Sequence, residues 1–350
     1  MNQLLDIRLL NKEEIITYLE SVQEPKFRAK QILEWLWKIG VYTFDEMTNL
    51  PRSLREKLQD KFCIRPIVND LQQISKDGTI KIRFKLHDGH FIESVLIPVT
   101  DQERFTVCIS CQVGCSLTCS FCATGQMKRI RNLDMPEIVD QVRMVNQLCL
   151  SEYNHPITNI VYMGMGEPLL SYASVVDSVR MISSPDGLGI SPRRITISTA
   201  GIAKMIKKLA DEGLKTNLAL SLHAADDEKR NQIMPINEQN NLEILTEALQ
   251  YYREHCPDSK MTFEYISFDA FNDSLEDARN LVKLCKKVDN VKVNIIEYNR
   301  VEGVVFQKSR ENQLDQFMNF LSKNKIAVTL RKSRGKDIDA ACGQLANKEN

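Results

Sequence analysis

From about residue 134 onward the chain alternates between helix-like and strand-like stretches, and its strands are short and apolar. Ile160-Val-Tyr-Met163, Leu218-Ala-Leu-Ser-Leu222 and Val293-Asn-Ile-Ile296 show little of the alternation that one wet face would impose. Such strands are buried on both sides, and when helices separate them they pair in parallel through right-handed crossovers. The pattern predicts helices near 134–149, 171–184, 202–213, 241–256, 274–288 and 309–324, and strands near 158–163, 194–198, 216–222, 261–267, 291–297 and 326–331. With the strand expected over Arg104–Ile109, this gives six or seven βα units, short of the eight that close a barrel. The expected fold class is therefore α/β: an open, partial (β/α)6 barrel, with its chemistry at the carboxyl ends of the strands.

The N-terminal part has a different character. Asn11 before Lys12-Glu-Glu14 is a helix start, followed by an apolar stripe of Ile15, Ile16, Leu19 and Val22. A second helix is expected over 26–39, burying Ile32, Leu33, Leu36 and Trp37 and turning Lys26, Arg28, Lys30 and Lys38 outward. A third begins at Leu50-Pro51, with Leu54, Leu58 and Phe62 on one face. Those cations fit a solvated surface at least as well as an RNA-binding face. Thr79–Leu86 alternates strictly, His87-Asp-Gly-His90 is a turn, and His90–Ile97 is its hairpin partner. The expected division is a small helical domain over 1–65, a β-hairpin extension over 66–104, the barrel over 105–345 and a tail over 346–350, frayed at Lys348–Asn350.

Three cysteines stand at the first strand end, in Cys115-Ser-Leu-Thr-Cys119-Ser-Phe-Cys122. Thiols this close cannot pair without strain, so a metal centre suits them better than disulfides. Zinc knuckles from Cys108, Cys111, Cys119 and Cys122 would leave Cys115 idle, and their pairs lie closer together than in zinc ribbons. Iron–sulfur clusters use thiolate ligands, and a cubane held by three cysteines leaves one iron open. The C-x3-C-x2-C spacing with Phe121 before its last cysteine resembles the signature of radical S-adenosylmethionine (SAM) enzymes. In those enzymes the open iron holds SAM, and an electron splits it into methionine and a deoxyadenosyl radical.

Net formal charge is zero, so any RNA contact must come from local basic patches. Five of the ten cysteines lie between Cys108 and Cys122, which is no disulfide framework. Met1-Asn-Gln-Leu-Leu-Asp6 is not a charged leader before an apolar run, and no stretch approaches the ~18 apolar residues of a membrane span. A reducing cytoplasm is the expected location.

Further motifs sit at the strand ends. Gly164-Met-Gly-Glu-Pro168 offers close backbone approach and a carboxylate, Glu167, that serves an amino group or caps the next helix. Ser198, Ser221 and Asn299, read alone, are most often turn or cap residues, and His223 reads equally as a structural histidine or a ligand contact. Arg331-Lys-Ser-Arg-Gly-Lys336 has four cations in six residues, and Cys342 follows between small neighbours.

Together these motifs resemble the RlmN/Cfr family of radical SAM RNA adenine methyltransferases over nearly the whole chain. The likeness rests on Phe91-Ile-Glu93-Ser-Val, Cys108-Ile-Ser, the cluster loop with Phe121-Cys-Ala-Thr-Gly, Met163-Gly-Met-Gly-Glu-Pro, Ser191-Pro-Arg-Arg, Ser221-Leu-His, Met234-Pro-Ile-Asn and Asp337-Ile-Asp-Ala-Ala-Cys342-Gly-Gln-Leu. It implies a radical SAM barrel and one 4Fe–4S cluster on Cys115, Cys119 and Cys122. The SAM site would be lined by Gly166, Glu167, Ser198, Ser221, Leu222, His223 and Asn299. It further implies two SAM molecules per turnover. One methylates Cys342; the other yields the radical that takes hydrogen from that methyl group. The Cys342 methylene radical adds to adenine, Cys108 resolves the adduct as a Cys108–Cys342 disulfide, and Glu93 handles the proton.

The implied substrates are carbon 2 of an adenosine in 23S rRNA and one beside the tRNA anticodon, with an external, flavodoxin-like electron donor and a monomeric enzyme. The rivals are carbon-8 methylation of the same rRNA adenosine and a non-catalytic iron–sulfur RNA-binding protein. Arg334-Gly335 before Lys336-Asp337 matches the carbon-2 branch better, and a binding protein needs neither Cys108 nor Cys342. Cys111 stands where other members often have serine, which leaves open which outer thiol reacts. Cys63, Cys149, Cys256 and Cys285 read as buried apolar positions.

Overall fold

The computed structural model describes residues 4–347. Its N-terminal module comprises β1 (Leu5–Asp6), α1 (Lys12–Ser21), α2 (Arg28–Leu33, running on as a π-helix over Glu34–Ile39), α3 (Arg52–Lys61) and β2 (Phe62–Cys63). Asn11 and Glu14 close α1 with a reciprocal capping box, as the sequence suggests. The second helix departs from expectation in its last six residues, where the wider π-turn lets adjacent Leu36 and Trp37 both bury. β1 and β2 pair in parallel and tie the ends of the module together; strands of two residues carry no periodicity to read.

The module docks on the barrel through a buried guanidinium. Arg8 bonds Asp6 and reaches Asp140 at 3.0 and 2.8 Å, and its remaining donor goes to the Arg65 carbonyl. Asp140 lies on α5 (defined below), so one cation joins two parts of the molecule.

A ten-stranded sheet follows. β3 (Val68–Ile74), β4 (Ile80–Lys85) and β5 (Phe91–Val99) are antiparallel and run without a break into β6 (Arg104–Cys108). The β4–β5 hairpin is the expected one. β3 was not expected: it is an edge strand, mostly exposed, whose sequence Val-Asn-Asp-Leu-Gln-Gln-Ile lacks alternation. Next come β7 (Gln112–Val113), α4 (Ala123–Gln126), β8 (Arg131–Asn132) and α5 (Met135–Tyr153). The regular part then runs β9 (Asn159–Tyr162), α6 (Tyr172–Ser183), β10 (Ile195–Thr199), α7 (Ala203–Asp211), β11 (Asn217–Ser221), α8 (Asp227–Ile233), α9 (Leu242–His255), β12 (Met261–Ser267), α10 (Leu275–Val288), β13 (Val291–Glu297), α11 (Glu311–Lys323) and β14 (Ala327–Arg331).

The sheet order is β14-β13-β12-β11-β10-β9-β6-β5-β4-β3. The strands from β6 to β14 are parallel, each beside its predecessor. This is an open α/β fold with six βα units and a final strand. The barrel is open, because β14 and β3 are separate sheet edges. Short α8, inserted before α9, is the one helix of this half that periodicity did not reveal.

The chain after β14 spans the gap as a strap. The Gly335 amide donates to Asp77 on the β3–β4 turn, while Ser75 and the Lys76 amide donate to Asp337. Further on, the Ala346 and Asn347 amides donate to Glu93 on β5. The first two residues of the expected tail are thus held; Lys348–Asn350 lie outside the described residues. Among those described, no helix is long and apolar enough to cross a membrane.

Breaking a buried ion pair from one side costs about 3–5 kcal/mol when the remaining charge is left alone. Arg8 keeps Asp6, so Asp140→Ala should lower stability by less, ~1–3 kcal/mol in urea denaturation, and expose the residue 4–64 module to protease first. A loss below ~1 kcal/mol would show that the pair does not hold the module in place.

Candidate active site at the carboxyl edge of the sheet

The site starts at the end of β6. The Ser110 hydroxyl donates to the Glu93 carbonyl and accepts from the Met165 amide, and Gln141 of α5 bonds Ser94 and both backbone groups of Ser110. Gly164 passes so close that a Cβ there would stand 2.7 Å from the Ile109 carbonyl. Gly166 has φ +99 and is packed on Gln112, so both glycines are needed where they stand.

Cys115, Cys119 and Cys122 line one cavity with Gly166, Glu167, Ser198, Ser221, His223 and Cys342. Leu117 and Phe121 of the cluster loop pack with Ile233, Met234, Ile266 and Phe268 into a second apolar core. Burial raises all three thiols, Cys115 to about 11, so ligation must supply the energy to deprotonate them. The donor set, the shared cavity and the apolar wrap fit an iron–sulfur cluster better than the zinc alternative.

Glu167 is buried with its carboxylate toward this cavity. Oε2 accepts from the Ala200 amide at 2.8 Å and Oε1 from the Leu169 amide at 3.0 Å. Burial raises its pKa against the pull of those bonds. It caps the short turn Pro168–Leu170 and also faces the cavity, so the two readings of Glu167 coexist in one side chain. The Ser198 and Ser221 hydroxyls stand 3.4 Å apart. His223 accepts the Ile266 amide on Nδ1, and its edge meets Phe121. Burial, aided by Arg230, pushes its pKa down to about 3, so the ring is neutral.

Two expected SAM contacts are placed differently. The Leu222 side chain is in the main core, with its amide on the Glu264 carbonyl and its own carbonyl on Arg230. Asn299 does not line the cavity; its amide reaches toward the Cys342 carbonyl and steadies the strap.

Cys108 and Cys342 line a larger adjoining cavity of about 770 Å³ inside the open barrel. Cys342 is exposed, Cys108 is buried, and all ten cysteines are free. Burial, then the neighbouring Cys342, pushes the Cys108 thiol up to about 12, while Arg331 favours its thiolate. Arg331 stands 3.6 Å from Glu264. Arg104, Lys292, Arg331, Lys332 and Arg334 line this cavity, and among the described residues no carboxylate does. It is the kind of local basic surface that a chain of zero net charge needs for RNA. Cys111 lines neither cavity, and its buried thiol lies 3.7 Å from the Met165 carbonyl. Glu93 is on the cavity-lining face of β5, with Val95 and Ile97, but the strap covers it and Lys81 lies 3.6 Å away. Cys149 and Cys285 are buried as expected, whereas Cys63 and Cys256 are only half-buried.

An open α/β barrel with three cysteines after its first parallel strand and a buried glutamate after its second defines a radical SAM enzyme. The comparisons agree. Residues 4–64 match the ribosomal RNA large subunit methyltransferase N-terminal domain, and residues 109–285 match the radical SAM superfamily. A Cytophaga hutchinsonii protein named "Probable dual-specificity RNA methyltransferase RlmN" is 52% identical, over 98% of this chain and 93% of its own. The dual-specificity RNA methyltransferase RlmN of Nautilia profundicola is 43% identical, over 93% of this chain and 94% of its own. The crystal structure of a radical SAM methyltransferase from Sphaerobacter thermophilus superposes with a TM-score of 0.90 at 37% identity, covering 98% of this chain and all of that one. The chain belongs to the RlmN family of radical SAM RNA methyltransferases.

Sequence reasoning gave no role to Gln141, Arg230 or Glu264, and met Ser110 and Arg331 only inside motifs read for other residues. Polar residues inside expected buried strands and helices were the available signal, since such groups stay only when bonded.

Anaerobically reconstituted protein should be brown and carry about four irons per chain, and Cys119→Ala should lose them. Stoichiometric zinc without iron in the reconstituted protein would overturn the assignment.

Proposed function

We propose that this enzyme methylates carbon 2 of adenosine in the peptidyl-transferase loop of 23S rRNA and beside the anticodon of certain tRNAs, through methylated Cys342. The observation that carries the reading is the position of Cys108 and Cys342 on one basic cavity that adjoins the cysteine triad. The names of the relatives, which carry dual RNA specificity, support it. An adenine ring carbon has no useful lone pair, so ordinary methyl displacement from SAM is poor there and radical addition is the workable route.

Cys115, Cys119 and Cys122 hold the cluster, which when bound supplies the electron that splits SAM. Glu167, with Gly166, Ser198, Ser221 and His223 beside it, holds the amino acid end of SAM. Two SAM molecules are consumed per turnover. Cys342, exposed on the strap, accepts the first methyl group and carries it as a methylene to adenine. The adduct radical gives one electron to a redox partner; the Cys108 thiolate, favoured by Arg331, then attacks the Cys342 sulfur, the Cys342 sulfur–methylene bond breaks as the Cys108–Cys342 disulfide forms, and the electron pair stays on the methylene carbon, which takes up a proton to become the methyl group. Glu93 handles the proton from adenine, which requires the strap to lift from it. Lys26, Lys30 and Lys38 are exposed on the N-terminal module, where they would grip RNA phosphates. The enzyme would act as a cytoplasmic monomer fed by a flavodoxin-like donor.

The test is the Cys108→Ala variant. It should still methylate Cys342 and add to adenine, then stall as a nuclease-sensitive protein–RNA adduct that is absent from the Cys108→Ala, Cys342→Ala double variant. Mass spectrometry of the RNA made by the parent should place the methyl on carbon 2; carbon 8 would favour the rival activity. Normal turnover by the parent with no adduct from Cys108→Ala or Cys111→Ala would dismiss the covalent route.

A further inference from the structure

Arg230, on α8, is completely buried and is among the largest side chains sealed from solvent. Its hydrogen bonds all go to neutral oxygens. Nε donates to the Leu222 carbonyl at 3.1 Å, Nη1 to the Asn237 side-chain carbonyl, and Nη2 to the carbonyls of Ala200 and Ser221. Among the described residues no carboxylate bonds it. Asp227, one turn earlier on α8, spends Oδ1 on Asn237 and on the Leu242 amide. Buried cations are otherwise found paired, because taking a charge out of water without a counter-charge is costly.

The missing negative charge has an evident source. The end of α8 holds the cluster loop directly: the Ser120 amide donates to the Ile233 carbonyl at 3.1 Å, and Ile233 and Met234 pack on Leu117 and Phe121. Burial pushes the Arg230 guanidinium down to about 10, and the anions that work against this are Cys119 first and Asp227 second. Arg230 is in turn the cation that favours the Cys119 thiolate. A cubane on three thiolates carries a net charge of about −1, which becomes about −2 on reduction. Reduction therefore strengthens the attraction to a fixed cation nearby, and a buried, water-free setting screens that attraction little.

We propose that Arg230 is a positioning residue that sets the reduction potential of the cluster, its guanidinium acting as the counter-charge of the thiolate-bound irons. The same fork holds the carbonyls of Ala200, Ser221 and Leu222 at two strand ends of the SAM site, so one side chain fixes the site's backbone and the energy of its electron. The inference rests on the reading of Cys115, Cys119 and Cys122 as cluster ligands.

The test compares Arg230→Gln with Arg230→Lys. Both lose the fork, and only the lysine keeps the charge. Iron and sulfide are measured first on anaerobically reconstituted proteins, and the clusters are then titrated with dithionite and followed by electron paramagnetic resonance. Arg230→Gln should load iron yet show at least a ten-fold lower ratio of reduced to oxidised cluster at the same solution potential, a ~59 mV negative shift for a one-electron couple. Arg230→Lys should stay within about three-fold of the parent on the same scale. A glutamine variant that titrates with the parent, or a lysine variant that shifts as far as glutamine, overturns the proposal. Should the glutamine variant fail to fold, Arg230→Met, neutral and of similar length, replaces it under the same criterion: a ten-fold shift with a parent-like lysine variant supports the counter-charge and an unmoved midpoint refutes it. A parent that binds no iron removes the cluster reading itself, a result distinct from an unmoved potential.

Discussion

The site depends on how the chain leaves β6 at Ser110. That residue is fully buried, and its hydroxyl joins β5 to the Gly164–Glu167 turn while Gln141 ties it to α5. Buried hydrogen bonds are costly to leave unmade and modest once made, so such a knot specifies geometry more than it adds stability. The three loop cysteines, Cys108 and the cavity-facing Glu167 all take their positions from strands and turns that meet there. A small error in this crossing would propagate to each of them, since protein interiors shift rather than compress.

The barrel was legible because burial on both faces erases alternation, and helices of ordinary length separate the strands. The cysteine triad stood out because three thiols at that spacing are unusual chemistry, whereas Glu167, read alone, fitted a helix cap as well as an amino-group contact, and only the fold turned it toward the cavity. What the sequence hid falls into two kinds. β1, β2 and β3 are too short or too exposed to impose a hydrophobic rhythm, and only pairing partners far along the chain define them. Arg230 and Gln141 look like surface residues of amphipathic helices, and only the fold turns them inward. Leu222 illustrates the reverse: a place in a motif does not say which way a side chain points, and here it points into the core.

The barrel's two free edges are joined by the strap, which is held at one end by Asp77 and Asp337 and at the other by Glu93. A closed barrel has a bore fixed by its ladder of strand hydrogen bonds, and widening it means breaking that ladder. Here the bore is set by sheet twist and a handful of side-chain clasps, each worth about 0.5–1.5 kcal/mol. Admitting a nucleotide therefore requires only that a clasp slip, with every strand still paired. The clasped segment is also the one that carries Cys342, so under the proposed mechanism the part that yields to an incoming base is the part that then has to reach it.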